Sequence, residues 1–101
     1  MDSVISLSWY VYILRCGDGS LYTGITREME RRWEQHNSGK GARYTRSRLP
    51  VQLVYWETQP DKSAALKREW AIKRLSKARK EDLVKSPCPR LPFPPPSENR
   101  Q

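Results

Sequence analysis

The stretch that most constrains the fold is residues 10–24, YVYILRCGDGSLYTG. Two apolar, β-prone runs flank a short polar spacer. Strand side chains alternate, so Trp9, Val11 and Ile13 point to one side and Tyr10, Tyr12 and Leu14 to the other. In the spacer, Asp18-Gly19 supplies the positive-φ position that a tight hairpin needs. Residues 21–25 return as a second strand, which brings Tyr12 and Tyr22 close on neighbouring strands. Gly24 has no side chain, so another backbone or a ligand can approach it closely.

A chain of 101 residues makes one small domain. Nineteen Lys and Arg against eleven Asp and Glu give a net charge of +8 and a pI near 9.9. That imbalance points to a polyanionic partner, with nucleic acid preferred over an acidic membrane surface. Cys16 and Cys88 are too few for a disulfide framework and lack metal-type spacing, so they read as free thiols in a reducing compartment. With no secretory signal and no run long enough to span a bilayer, the expected location is the cytoplasm.

Residues 1–8 read as a lead-in that joins the first strand. After the hairpin, Thr26 is placed to cap a helix running from 27 to 36 or 37, with Glu28 and Glu30 early, where the helix dipole favours acids. Asn37-Ser38-Gly39 ends it. The stripe at 25, 29, 32, 33 and 36 mixes core residues with Arg32 and His36. Arg31 shares a solvated face with Arg27 and Gln35. Of the adjacent arginines, Arg32 is therefore the functional candidate and Arg31 a surface or phosphate contact.

Residues 39–49 read as a loop carrying Lys40, Arg43, Tyr44, Arg46 and Arg48. Cations, flexible backbone and one ring suit a phosphate backbone with a stacked base, and a merely solubilising loop is the alternative of equal weight. Pro50 opens a third strand over 51–57, with Val51, Leu53 and Tyr55 on one face and Gln52, Val54 and Trp56 on the other. A second helix runs from Asp61 or Ser63 to about Leu75. Leu66 and Trp70 mark its buried face, with Ala65 and Ile72 beside them, and the four tryptophans read most simply as core.

Glu69 falls inside that face, where an ionised carboxylate needs an arginine, a hydrogen-bond network or a metal ion. An ion pair with Arg32 or a neighbouring lysine is the plain structural alternative. Ser76 caps a third, basic helix over 77–85, packed by Leu83 and Val84. Lys73, Arg74, Lys77, Arg79 and Lys80 form a solvated basic face that also attracts phosphates. Residues 86–101 are proline-rich and read as a disordered or polyproline-like tail outside a domain of residues 1–85.

Tyr12, Tyr22, Arg32, His36 and Glu69, in that order on those elements, resemble the GIY-YIG nuclease family. The two tripeptides of its signature stand here as Tyr10-Val11-Tyr12 and Tyr22-Thr23-Gly24, with Tyr10 in place of the first Gly and Thr23 in place of the second Ile. The family arginine lies four before its helix histidine, which also selects Arg32. Residues 64–71, AALKREWA, look like the segment bearing the metal-binding glutamate. The resemblance covers residues 8–85, and segments 22–26, 30–32 and 38–42 look like the small stand-alone bacterial branch typified by YhbQ.

The resemblance implies an α+β domain of order ββαβαα, a three-stranded antiparallel sheet flanked by helices. It implies a metal-dependent nuclease that cleaves DNA, in repair or in processing of ends or branched structures. RNA is a further candidate substrate and a catalytically inert nucleic-acid-binding module the alternative reading. One Mg²⁺ or Mn²⁺ would be held by Glu69, Arg32 would grip the scissile phosphate, Tyr12 would accept the water's proton and Tyr22 would orient water or phosphate. His36 would relay the proton or hydrogen-bond Tyr12, and which of the two is the base stays open. A phenol of pKa about 10 is a poor base; Arg32 and the metal are expected to lower it by favouring the phenolate. Lys40, Arg43, Tyr44, Arg46, Arg48 and Lys73 are the candidate nucleic-acid contacts. No separate DNA-recognition domain and no additional Asn or Lys of the kind some family nucleases carry can be identified, which leaves target selection open.

Overall fold

A strand that is apolar on both faces belongs in the middle of a sheet, and β1 (Trp9–Arg15) takes that place. In the computed structural model, which describes residues 8–86, β2 (Leu21–Thr26) and β3 (Gln52–Gln59) pair antiparallel on its two sides. Val11, Tyr12, Ile13 and Leu14 are each at most 1% exposed, so both faces of β1 are covered. The remaining elements are α1 (Met29–Asn37), the short α2 (Arg43–Arg46), α3 (Lys62–Lys73) and α4 (Lys77–Val84). This is the expected three-stranded antiparallel α+β architecture, with α2 added. The expectations for residues 1–7, Cys88 and the tail lie outside the described residues.

The hairpin turn forms as its chemistry dictates. Gly19 has φ 87°, the Cys16 and Gly19 amides bond Ser20 and Cys16 carbonyls, and the Ser20 hydroxyl donates to the Asp18 carboxylate at 2.6 Å. In the resulting register Tyr12 lies opposite Gly24, and Tyr22 opposite Leu14. The two tyrosines are thus diagonal neighbours.

One face of the sheet packs Tyr12, Leu14 and Cys16 with Met29 and Trp33 of α1 and with Val51. The other packs Val11, Ile13 and Tyr55 with Ala65 and Ile72 of α3, joined by Leu83 and Val84 of α4. An ion pair from Arg15 of β1 to Glu81 at 2.7 Å ties α4 to the sheet, and Lys77 pairs with the same Glu81 within the helix at 3.8 Å. No helix among the described residues is long and apolar enough to cross a membrane.

Several local expectations are corrected. The third strand extends to Gln59, and its register slips between the Ile13–Tyr55 and Leu14–Leu53 pairs. The extra residue puts Val54 and Tyr55 together on the α3 face, while Leu53 and Trp56 face α1. Strict alternation therefore misplaced Tyr55 and Trp56. The 39–49 segment is not all loop, because α2 interrupts it. Helix α1 begins at Met29, and the Thr26 hydroxyl instead accepts the Glu28 amide at 3.1 Å in a turn before the helix. Asp61 and Ser76 cap α3 and α4 as expected, accepting the amides of Ala64 and Arg79.

The buried face of α3 is the larger correction. Ala65 and Ile72 are fully buried, whereas Leu66 is 45% and Trp70 62% exposed. Small Ala65 lets the helix lie close to the sheet, and the half-buried Arg68 and Glu69 occupy the positions between. The Trp70 ring is covered instead by the Arg74 guanidinium, 4.5 Å from its centroid. Of the four tryptophans only Trp33 is buried; Trp9 and Trp56 are half-buried.

Candidate active site

Tyr12 projects from the centre of β1 toward α1, and its ring lies across β2 at Gly24. A Cβ on Gly24 would stand 2.5 Å from the phenol oxygen and 2.7 Å from the ring carbon that bears it. What approaches this glycine is thus the Tyr12 ring, and any other residue would push it away. His36, in the last turn of α1, is fully buried beside Tyr12. The backbone of Gly41 packs against its imidazole, where a Cβ would collide with Nδ1. Helix α2 then supplies Thr45, also fully buried.

These groups form one hydrogen-bonded series. The Thr45 hydroxyl donates its only proton to the Ala42 carbonyl at 3.0 Å. It must therefore accept from His36 Nδ1, 2.8 Å away, which makes Nδ1 the protonated ring nitrogen. Nε2 is left as acceptor, and the Tyr12 hydroxyl donates to it at 2.9 Å. Arg32 Nε in turn donates to the phenol oxygen at 3.4 Å.

The electrostatics agree with that assignment. Burial, and then the charge of Arg32, lower the His36 pKa to about 4, so the imidazole is neutral at neutral pH. Burial pushes the Tyr12 phenol up to about 12, more than the Arg32 hydrogen bond pulls it down. At this site desolvation outweighs the guanidinium, so Arg32 by itself does not lower the Tyr12 pKa.

Arg32 uses Nη1 to donate to Gln35 at 3.0 Å and forms no salt bridge among the described residues. Arg31 is 71% exposed and pairs with Glu28 at 3.4 Å. Tyr22 is half-buried, its centroid 5.4 Å from that of His36, and it stacks on Tyr44 at 5.9 Å. The Arg48 guanidinium covers Tyr44 at 3.9 Å and also pairs with Asp18 at 3.0 Å. Lys40, Arg43 and Arg46 are exposed around α2.

Glu69 lies on the α3 side, its side chain 19% exposed and its carboxylate paired with Lys73 at 3.2 Å. The lysine alternative for its partner, rather than Arg32, is what the structure shows. Its negative charge reaches the Tyr12 phenol and contributes to raising it. One half-buried carboxylate whose charge reaches a phenol is the kind of donor used by a hard, oxygen-seeking ion that keeps several waters. No cluster of three or more His, Cys, Asp or Glu side chains occurs among the described residues.

Sequence reasoning missed Thr45 and Gly41. Both were read as part of a flexible basic loop, and only the packing of that loop over α1 reveals them.

Comparison with known proteins shows the family and the fold. A profile of the GIY-YIG catalytic domain matches residues 8–82. A UPF0213 protein of Desulfotalea psychrophila is 62% identical over 80 residues, covering 78% of this chain and 73% of that protein. A solution NMR structure of a UPF0213 protein from Bacillus halodurans is 51% identical, covers 76% of this chain and 82% of that one, and has a TM-score of 0.51. A second NMR structure, from E. faecalis, is 46% identical with a TM-score of 0.54, covering 77% and 83% of the two chains. With the profile spanning the whole sheet, α1 to α3 and all but the last two residues of α4, the chain belongs to the GIY-YIG catalytic domain family, a family of nucleases, and to its small UPF0213 branch.

Proposed function

We propose that this chain is a metal-dependent nuclease that hydrolyses DNA phosphodiester bonds. We place it in the cytoplasm, acting on ends or branched structures in repair or processing, with RNA as the substrate to compare against DNA. The domain boundary falls near residue 85, with the proline-rich residues 86–101 outside it. The observation that carries the reading is the series from Tyr12 through His36 to Thr45, with Arg32 beside the phenol and uncommitted to any carboxylate among the described residues. The net charge of +8 supports a polyanionic substrate.

Arg32 takes the scissile phosphate, because a guanidinium matches phosphate oxygens as a fork. The attacking water gives its proton to the Tyr12 oxygen while Tyr12 passes its own to His36 Nε2. No free phenolate is needed, which is how a phenol of pKa about 12 can serve. His36 is closed off from solvent, so it acts through Tyr12 and not on the water itself. Arg32 is the second cause of the low His36 pKa; a phosphate anion on Arg32 offsets that charge and makes the imidazole a better proton acceptor. Tyr22, beside His36, orients the water or the phosphate. Glu69 would hold a single Mg²⁺ or Mn²⁺, an ion that stabilises negative charge on phosphate and alkoxide oxygens.

The test is a cleavage assay with and without Mg²⁺ on labelled single-stranded, duplex, flapped and branched DNAs and a matching RNA, run beside Glu69→Ala. Cleavage by the native protein, lost in Glu69→Ala while binding persists, supports the reading and names the substrate. Binding with no cleavage in Mg²⁺ or Mn²⁺ would sink it in favour of an inert binding module. Cleavage retained by Glu69→Ala would remove the metal role.

A further inference from the structure

Arg32 serves two places at once. Its Nε faces the Tyr12 oxygen, while Nη1 bonds Gln35 in the wall of a separate groove of about 380 Å³. That groove is lined by Trp9, Ile25, Glu28, Arg31, Arg32 and Gln35. We propose that it is a nucleotide subsite: the base of the nucleotide next to the scissile phosphate stacks on Trp9, and a backbone phosphate meets Arg31 beside Arg32. The inference rests on the nuclease reading above and adds to it where the substrate strand lies.

Four observations carry it. The groove shares Arg32 with the candidate active site, so a strand whose phosphate sits on Arg32 has a neighbouring nucleotide within reach of it. Its volume lies at the low end of the range of roughly 300–1,000 Å³ for small-molecule sites, which suits one nucleotide and not a base pair. The base there must leave its stack. Trp9 stands half-buried with the Arg27 guanidinium 5.9 Å and the Lys62 ammonium 5.8 Å from its ring. An aromatic ring set among cations matches a polymer that alternates flat bases with phosphates. Finally, among the described residues Arg31 is held only by an exposed pair with Glu28, side chains 71% and 65% exposed, an interaction weak enough to be exchanged for phosphate.

Reading Trp9 as core and Arg31 as a surface or phosphate contact does not join the two, because they are far apart in sequence. The fold brings them together as walls of one groove.

The experiment uses the full chain in EDTA, so that binding is read without cleavage. The probes are a fluorescent oligothymidylate and the same oligomer made wholly of abasic deoxyribose phosphate. The native protein should prefer the thymidylate by about tenfold, as one stacked base predicts. Trp9→Leu should erase that preference with little change for the abasic probe, and Arg31→Ala should weaken both probes by a similar factor. A parallel measurement needs no variant: photocrosslinking of an oligomer carrying 5-iodouracil, mapped by peptide mass spectrometry, should label Trp9.

Labelling at Tyr44 or Trp70 without Trp9 overturns the subsite. So does a base preference that survives in Trp9→Leu. Binding with no preference between the probes overturns the subsite while leaving the nuclease reading intact. Failure to bind either probe overturns both.

Discussion

Two buried tyrosines stand on opposite faces of the sheet, and they look alike by one measure. Tyr12 is 1% and Tyr55 7% exposed, and burial pushes both phenols to about 12. Each has an arginine at hand. The difference lies in the partner. Tyr12 donates to a neutral imidazole that can take its proton, and Arg32 pairs with no carboxylate among the described residues. Tyr55 donates to Glu57 at 2.8 Å, which also accepts from Arg68 at 2.8 Å and Gln59 at 2.7 Å. Burial pushes Glu57 up, but these three donors outweigh it and hold the carboxyl below its ordinary value. A carboxylate so satisfied accepts no proton at neutral pH. A raised pKa therefore marks burial on both faces, and only the identity of the acceptor separates a proton path from a structural clasp.

The sharpest way to break this comparison is to remove each hydroxyl. Tyr12→Phe should lower the cleavage rate in Mg²⁺ by about 10²–10⁴-fold, the span of general acid–base contributions. Tyr55→Phe should leave it nearly unchanged. Equal losses in the two variants would show that the contrast has no functional content.

The arginines should separate in the opposite senses. Arg32→Ala should cost at least about tenfold in cleavage with little change in melting temperature, since its hydrogen bonds are to Tyr12 and Gln35. Arg68→Ala should leave cleavage near native but lower stability by about 1–3 kcal/mol, because half-buried Glu57 loses its charged donor. A large melting shift in Arg32→Ala would mean that arginine is a structural clasp too.

Acid should loosen the two faces in different windows. The folded pKa of His36 lies below its unfolded value near 6.5, so the unfolded chain binds the proton first as pH falls. The contribution of neutral His36 is then fully present above about 6.5 and is lost down to about 4, a change on the order of 3 kcal/mol. Glu57 also has a lowered folded pKa, but its contribution is present above the ordinary carboxylate value of 4.5 and is lost only below it. His36 is the single histidine of the chain, so one imidazole NMR titration reads the first window, and urea melts against pH read both. A His36 midpoint near 6.5 would mean the imidazole is not held neutral by the fold.

The smallest effect is expected at Thr45. Thr45→Val removes the acceptor of the Nδ1 proton, and should reduce cleavage a few-fold and stability by about 1 kcal/mol. Loss of only the stability part would reduce Thr45 to packing.

Local chemistry determined much of this protein in advance. Asp18-Gly19 specified the hairpin, Asp61 and Ser76 specified helix starts, and the four-residue step from Arg32 to His36 placed both on one helical face. Each of these follows from a few neighbouring residues and a fixed backbone period. Tertiary packing decided the rest. It put Leu66 and Trp70 outward because Ala65, not bulk, set the approach of α3, and it slipped Tyr55 to the other face through a bulge that no alternation pattern encodes. It also let burial outweigh the nearby arginine at Tyr12, and folded Thr45 over His36 to choose which ring nitrogen bears the proton. Burial and long-range hydrogen bonds depend on residues that meet only in the finished fold, so no local pattern in the chain reports them.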